Sequence, residues 1–339
     1  MKSAHDDTAA HGAVRSRGRV SQSTWVRLLF AVATATFLLQ LRDLAPFAPA
    51  RASSAASPAA ARRRRRLGDG CHHVFLDVGA NIGIHARFLY EPARYPDSKS
   101  SAAAFDREFG TERDNRDYCV FAFEPNPKFE RRHMDLQRAY AGLGWRYTPV
   151  FAGASDADGN FTFYHSHFEK EEWETGFSAV TPKTLYGGNA TRRTVRIVRL
   201  ATWIRDEIQD RVPPAAYHSP LPSEPRVVMK LDIEGLEFRV FPDLLTTGAL
   251  CNNVHFLMGE FHTHPGNHNY YPINLTSDGR YVLRHRKEGE GLARQLLHVV
   301  NVADTCMTRI SLDDDESYLK DPHELPRPNA TAAPPPPPT

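Results

Sequence analysis

Residues 74–90 read VFLDVGANIGIHARFLY, an apolar run that reaches Asp77 and passes through Gly79, Asn81 and Gly83 before helix-forming residues resume. A strand that ends on a carboxylate and enters a helix through glycines is the tip of a βα unit, and such tips bind ligands in open parallel sheets. The same grammar recurs downstream. Strands are expected at His73–Val78, Cys119–Glu124, Arg146–Phe151, Val227–Asp232 and Val254–Glu260, with helices from Gly83, from Pro127 to Tyr140, and from Leu236. Continuous rather than alternating apolarity marks strands buried on both faces, and interposed helices mark a parallel sheet. The fold class is therefore α/β, with a doubly wound sheet. Two further strands, Asn160–Tyr164 and Thr194–Leu200, flank a Glu169–Gly188 loop, Trp203–Ile208 reads as helical, and Tyr95–Asp117 reads as a polar surface insertion.

The residues at the expected strand tips are Asp77, Glu124, Ser155 and Asp156, Asp232, and Glu260. All are acidic or polar, which tells against several ligands. From Gly79, a dinucleotide fingerprint would need glycines where Asn81 and Ile84 stand, and no Gly-Lys-Ser/Thr follows for a phosphate loop. What remains is D-x-G-x-N-x-G, a turn that exposes backbone beside a negative charge. A ligand without phosphate but with cationic groups suits it, and S-adenosylmethionine has an amine and a sulfonium. Glu124 fits the same ligand, because a strand-end acid can accept both hydroxyls of a ribose.

The pieces FLDVGANIGIHARFLY (75–90), FAFEPNPKFE (121–130), FAGASDADGNFTFY (151–164), VVMKLDIEGLEFRVFPDLL (227–245) and FLMGEFH (256–262), in that order, resemble the FkbM-type family of S-adenosylmethionine-dependent methyltransferases, in the class I superfamily. The resemblance runs from about Cys71 to His262, more loosely to Tyr318. It implies a Rossmann-like sheet of seven strands, mostly parallel, cofactor contacts at Asp77, Gly79, Asn81, Gly83 and Glu124, adenine contacts near Ser155 and Asp156, and, as is usual in the family, O-methylation of a hydroxyl. The Tyr95–Asp117 insertion departs from compact members and is a candidate substrate lid. In the resembling fold the starts of the first two strands lie side by side, which allows a Cys71–Cys119 bridge and leaves Cys251 with Cys306.

Methyl transfer needs an aligned nucleophile and somewhere for its proton to go. Asp232 lies at the fourth strand tip with Lys230, Glu234 and Glu237 around it, and strand alternation sends Lys230, Asp232 and Glu234 to one side while the chain stays extended. Glu260 and His262 at the fifth tip are the other candidate catalytic groups, histidine titrating near neutrality. His262, His264 and His268 have no dependable ligand spacing, so no metal is assigned. His72, His73, His165 and His167 read as strand-edge or surface residues.

The ends of the chain differ from its body. Met1–Arg66 carries twelve Lys/Arg against three Asp/Glu, and the remainder 30 against 37. An acidic body presents no electrostatic footprint for nucleic acid. Residues 1–24 form a basic tail and 25–41 a signal-anchor whose uncharged stretch Leu28–Leu41 spans about 21 Å as a helix, against a hydrocarbon core of about 30 Å. A signal peptide cleaved after Ala50 and an organelle transit peptide are the alternatives. Residues 42–70 read as a disordered stem, 71–318 as the catalytic domain, and 319–339 as a disordered Pro-rich tail. Asn160, Asn189, Asn274 and Asn329 begin glycosylation triplets, which have meaning in a secretory lumen. The resulting expectation is a membrane-anchored enzyme in the Golgi or endoplasmic reticulum lumen, methylating a glycan or other small-molecule acceptor. An organellar methyltransferase acting on a protein or small molecule, and an inactive lumenal binding protein, are the rivals.

Overall fold

The computed structural model describes residues 63–166, 190–220, 222–262, 286–312 and 315–327. Its central sheet has six strands, all parallel: β1 (His73–Val78), β2 (Tyr118–Phe123), β3 (Arg146–Val150), β7 (Val227–Leu231), β8 (Phe256–Gly259) and β9 (Arg309–Ser311), in the order β3-β2-β1-β7-β8-β9. Six strands among the described residues stand where the resemblance implies seven. The last strand, β9, closes the far edge, parallel to β8, and residues 263–285, between β8 and the last helix, lie outside the described set. The two extra strands expected after β3 do form, but in a separate small sheet. There β6 (Ala190–Arg199) pairs in parallel with β4 (Gly153–Ser155) and antiparallel with β5 (Gly159–Ser166).

The pleat sorts the core. Val74, Leu76 and Val78 of β1 face one apolar layer, packed with Leu200, Ala201 and Ile204 of α4 (Leu200–Glu207), Val240, Phe241 and Leu244 of α5 (Glu237–Thr246), Leu250 of α6 (Ala249–Asn253), and Val300 of α7 (Arg286–Val302). Phe75 faces the other, packed with Ile84, Phe88 and Leu89 of α1 (Ile84–Tyr90), Phe105 and Phe109 of α2 (Lys99–Phe109), and Leu136 and Tyr140 of α3 (Glu130–Ala141). Helices on both faces explain why the strands read as uninterrupted apolar runs.

Helix α2 corrects the reading of Tyr95–Asp117 as a surface insertion and substrate lid. Phe105 stacks edge-on against Phe75 at 5.0 Å, and Phe109 packs on His73 and Tyr118, which open β1 and β2. Both rings are fully buried, each stabilising the fold by about 2–3 kcal/mol, and the helix ends at the amino ends of the strands rather than over the carboxyl rim. Glu108, buried on the same helix, pairs with Arg309 at 2.6 Å and ties the insertion to β9. His72 and His73, expected at a strand edge or the surface, are buried; the His72 ring stacks on Tyr217 at 4.1 Å.

The folded body is longer than 71–318 at both ends. Gly68 donates to the Glu207 carbonyl and Gly70 to that of Val212, so the last residues of the expected stem are docked. At the other end the fully buried guanidinium of Arg87 is closed to solvent and donates to the Asp321 carboxylate, to Glu91 and to the carbonyls of His323 and Glu324. A buried cation needs such partners, and this one recruits residues 321–324 from the expected tail. Both bridges form, Cys71–Cys119 and Cys251–Cys306, with Cα separations of 5.6 and 4.4 Å. No helix among the described residues is long and apolar enough to cross a membrane, and residues 1–62, with the expected anchor, lie outside them.

Candidate active site

The strand order reverses between β1 and β7, and the carboxyl ends of these two strands meet more closely than side chains would permit. A Cβ on Gly79 would lie 1.7 Å from the Asp232 carbonyl oxygen, and the residue has φ +88°, so glycine is required twice over. Backbone bonds continue the contact past the strands: Asp232 N–H donates to Val78 O at 3.0 Å, Gly79 and Ala80 N–H to Phe123 O at 3.1 and 2.9 Å, and Glu260 N–H to Leu231 O at 3.2 Å. Asp77, Glu124, Asp232 and Glu260 are thereby brought to one rim, outside the carboxyl ends where doubly wound sheets bind ligands.

On the β1–β2 side the turn is built by Glu124. Its carboxylate accepts from Asn81 N–H and Asn126 N–H, both at 2.7 Å, and Asn81 sits in the left-handed region at φ 49°. Burial, with Asp77 nearby, pushes Glu124 up to about 8, against the two N–H donors and Lys230, which favour the charged form. Beneath the turn His133 of α3 bonds the Asn81 carbonyl through Nε2 at 2.7 Å and meets the Tyr147 hydroxyl through Nδ1. Burial holds His133 down at about 4, a neutral imidazole that can donate at one nitrogen and accept at the other. Neither His133 nor Tyr147 was singled out from sequence: both lie on regular elements whose partner, a left-handed asparagine, is visible only once folded. Asp77 itself is fully buried and registers beside Lys230 of β7, while Gly83 ends the turn at the start of α1.

On the β7–β8 side side chains replace backbone. Lys230, 2% exposed, reaches Asp232 Oδ2 at 2.7 Å and the Gly79 carbonyl at 3.4 Å. Beyond the strand the segment Ile233–Gly235 is held by Glu237, the first residue of α5: one oxygen accepts from Ile233 N–H at 2.8 Å, the other from Gly235 N–H at 2.9 Å. This is a helix-start carboxylate reaching back to orphan donors. It also fixes His262, whose Nδ1 lies 2.8 Å from Glu237 Oε1. The opposite nitrogen, Nε2, faces Glu260 Oε1 at 2.8 Å and Asp232 Oδ1 and Glu234 Oε2 at 3.5 Å each. Burial opposes a charge on His262, but Glu237, Glu260 and Glu234 outweigh it and hold the imidazole well above its ordinary value. Burial raises Asp232, yet Lys230 and His262 leave it below the usual carboxylate range; burial, with Asp232, keeps Glu234 well above that range. His85, missed in the sequence, is buried close by. Burial first and Lys230 second hold it well below the ordinary histidine value, so it adds a neutral ring to this side.

All five candidate catalytic residues, Lys230, Asp232, Glu234, Glu260 and His262, thus meet in one cluster. Glu234 arrives by a route alternation did not anticipate: the chain turns left-handed there, φ 55°, rather than staying extended. Ser155 ends β4 and Asp156 follows it; the Ser155 hydroxyl bonds the Asp156 carboxylate, which pairs with Arg239 of α5 at 2.6 Å. His264 and His268 lie outside the described residues.

A Rossmann-like sheet with an acidic rim at its switch point defines the broad class. The profile of the methyltransferase FkbM domain matches residues 77–273, more than half the chain, and the protein belongs to that family of methyltransferases. Neither a search of curated proteins nor one of solved structures returned a match.

Proposed function

We propose that the chain is an S-adenosylmethionine-dependent O-methyltransferase acting on a hydroxyl. The observation that carries this reading is the meeting, at the β1/β7 switch point, of the Glu124-braced turn with the Lys230–Asp232 pair. The residues fit the cofactor: Glu124 retains lone pairs for two ribose hydroxyls, Asp77 offers charge to a cationic amine, and the Gly79–Asn81 backbone can lie against the ligand. When bound, S-adenosylmethionine supplies an electrophilic methyl on sulfur. An acceptor hydroxyl held at the β7 and β8 tips would take that methyl group, and its proton would pass to the Asp232 carboxylate, the group of this cluster held below the usual carboxylate range. The products are a methyl ether and S-adenosylhomocysteine. Lys230 holds Asp232 at the point of attack, and Glu237 holds His262.

The compartment we infer is oxidising and secretory. Four cysteines in two bridges suit such a lumen, Asn160 of the first glycosylation triplet is exposed on β5, and the basic, apolar leader suits an anchor. A glycan or secretory metabolite is the acceptor class that follows. The test supplies methyl-labelled cofactor to fractionated secretory extracts with wild-type and Asp232→Ala protein. The reading predicts wild-type-specific label in a hydroxylated fraction that survives mild alkali, as an ether does. Label released as methanol would mark a carboxyl ester and overturn the O-methylation of a hydroxyl; loss of endoglycosidase sensitivity at Asn160 would overturn the lumen.

A further inference from the structure

The geometry points to a divalent-cation site formed by Asp232 Oδ1, Glu234 Oε2 and His262 Nε2, with Glu260 beside it. Oxygen and nitrogen ligand atoms from these three residues all fall within 4.8 Å of one another. The two separations of 3.5 Å from Nε2 are long for well-formed hydrogen bonds. They are close to the spacing of ligands sharing an ion: with bonds of about 2.1 Å, adjacent donors stand about 3.4 Å apart in a tetrahedral site, and an octahedral ion would draw them in to about 3.0 Å.

A second observation comes from outside the donor set. Glu237, fully buried, does not face the convergence point; it grips Nδ1 of His262 while both of its oxygens are pinned by the Ile233 and Gly235 amides. A carboxylate on the far nitrogen of a histidine, itself locked by hydrogen bonds, is the arrangement that orients metal-bound imidazoles and fixes their tautomer. His262 is 6% exposed, so its Nε2 has one direction to face, the convergence of Asp232, Glu234 and Glu260. The donors lie on three segments, the β7 tip, the turn before α5 and the β8 tip, all stitched together by backbone bonds at the switch point.

Carboxylate-rich sites with one imidazole suit Mn²⁺ best among common divalent ions, Mg²⁺ lacking a taste for nitrogen and Zn²⁺ favouring more of it. Three protein donors would leave coordination positions for water or for oxygens of an acceptor. Binding of the cation stands on this geometry alone; its use in catalysis, positioning an acceptor hydroxyl and lowering its pKa, rests on the methyltransferase reading above.

The experiment strips full-length protein with chelator, then titrates Mn²⁺ and follows it by electron paramagnetic resonance. One Mn²⁺ per chain is expected, with ¹⁴N coupling from an imidazole. His262→Gln removes that coupling, Glu234→Gln, on a partly exposed side chain that leaves the core intact, weakens binding at least tenfold, and Glu124→Gln leaves it unchanged. Absence of stoichiometric binding of Mn²⁺, Mg²⁺ or Zn²⁺ to folded protein overturns the site, as does nitrogen coupling that persists in His262→Gln. Titration of S-adenosylmethionine into the same stripped protein separates the two ideas. Cofactor binding without Mn²⁺ binding removes the cation site alone, and Mn²⁺ binding without cofactor binding supports the site while removing the methyltransferase reading.

Discussion

The two sides of the switch point hold their ligand-facing groups by different means. Between β1 and β2 the carboxylate of Glu124 is spent on two backbone amides, and the turn it shapes rests on a neutral His133–Tyr147 pair. Between β7 and β8 the rim carries Lys230, Asp232, Glu234, Glu237, Glu260 and His262, and charged neighbours help set the protonation of Asp232, Glu234 and His262. Geometry fixed through the backbone does not change with substrate, which suits a constant cofactor. A cluster of coupled side chains can give up or take a proton, which suits the acceptor hydroxyl of the reaction proposed above. The contrast implies that damage on the first side shows as lost fold or lost cofactor affinity, and damage on the second as lost turnover.

The harshest way to break that contrast is Gly79→Ala, which belongs to both sides. Its Cβ meets the Asp232 carbonyl at 1.7 Å with φ +88°, so a loss of about 4 kcal/mol or more is expected in urea denaturation, enough to unfold much of the protein. Asp232→Asn should divide the sides cleanly: turnover falls about 100- to 1,000-fold, while cofactor affinity by calorimetry stays within about threefold. A matching loss of cofactor affinity would dissolve the distinction. Glu237→Gln keeps the size of the side chain but weakens its grip on His262, and turnover should drop about 10- to 100-fold with cofactor affinity unchanged.

The smallest effect belongs to the cofactor side and appears only on changing pH. Glu124 has an ordinary value of 4.5 and sits at about 8 when folded. An acid raised by folding stabilises fully below 4.5 and loses that contribution as pH climbs through 8, because the unfolded chain releases the proton first. Stability measured from pH 5 to 8 should therefore fall in the wild type by about 1–3 kcal/mol more than in Glu124→Gln. Equal slopes would mean that Glu124 is ionised in the folded state.

Much of this asymmetry was legible in the sequence, and the reason differs by side. The apolar runs into Asp77, Glu124 and Asp232 announce buried parallel strands, and parallel register alone brings their tips together. Lys230 and Asp232, two residues apart on one strand, could be placed on one side by pleat. His262 and Glu237 could not be paired, since 25 residues separate them and only the turn after β7 makes them meet. His133 was silent for the same reason. Helix α2 escaped because Ala- and Ser-rich sequence reads as loop, and its two phenylalanines find the core only because β1 and β2 offer Phe75 and Tyr118 as partners. The docking of residues 321–324 depends on Arg87, whose burial no local pattern discloses.

Calorimetric titration of S-adenosylmethionine into the full-length protein, beside Asp77→Ala and Glu124→Ala, tests the central claim most directly. One-to-one binding that each substitution weakens at least about tenfold, about 1.4 kcal/mol, is the expected result. No binding by folded wild-type protein, or binding that both substitutions leave unchanged, would contradict the assignment of this rim as a cofactor site.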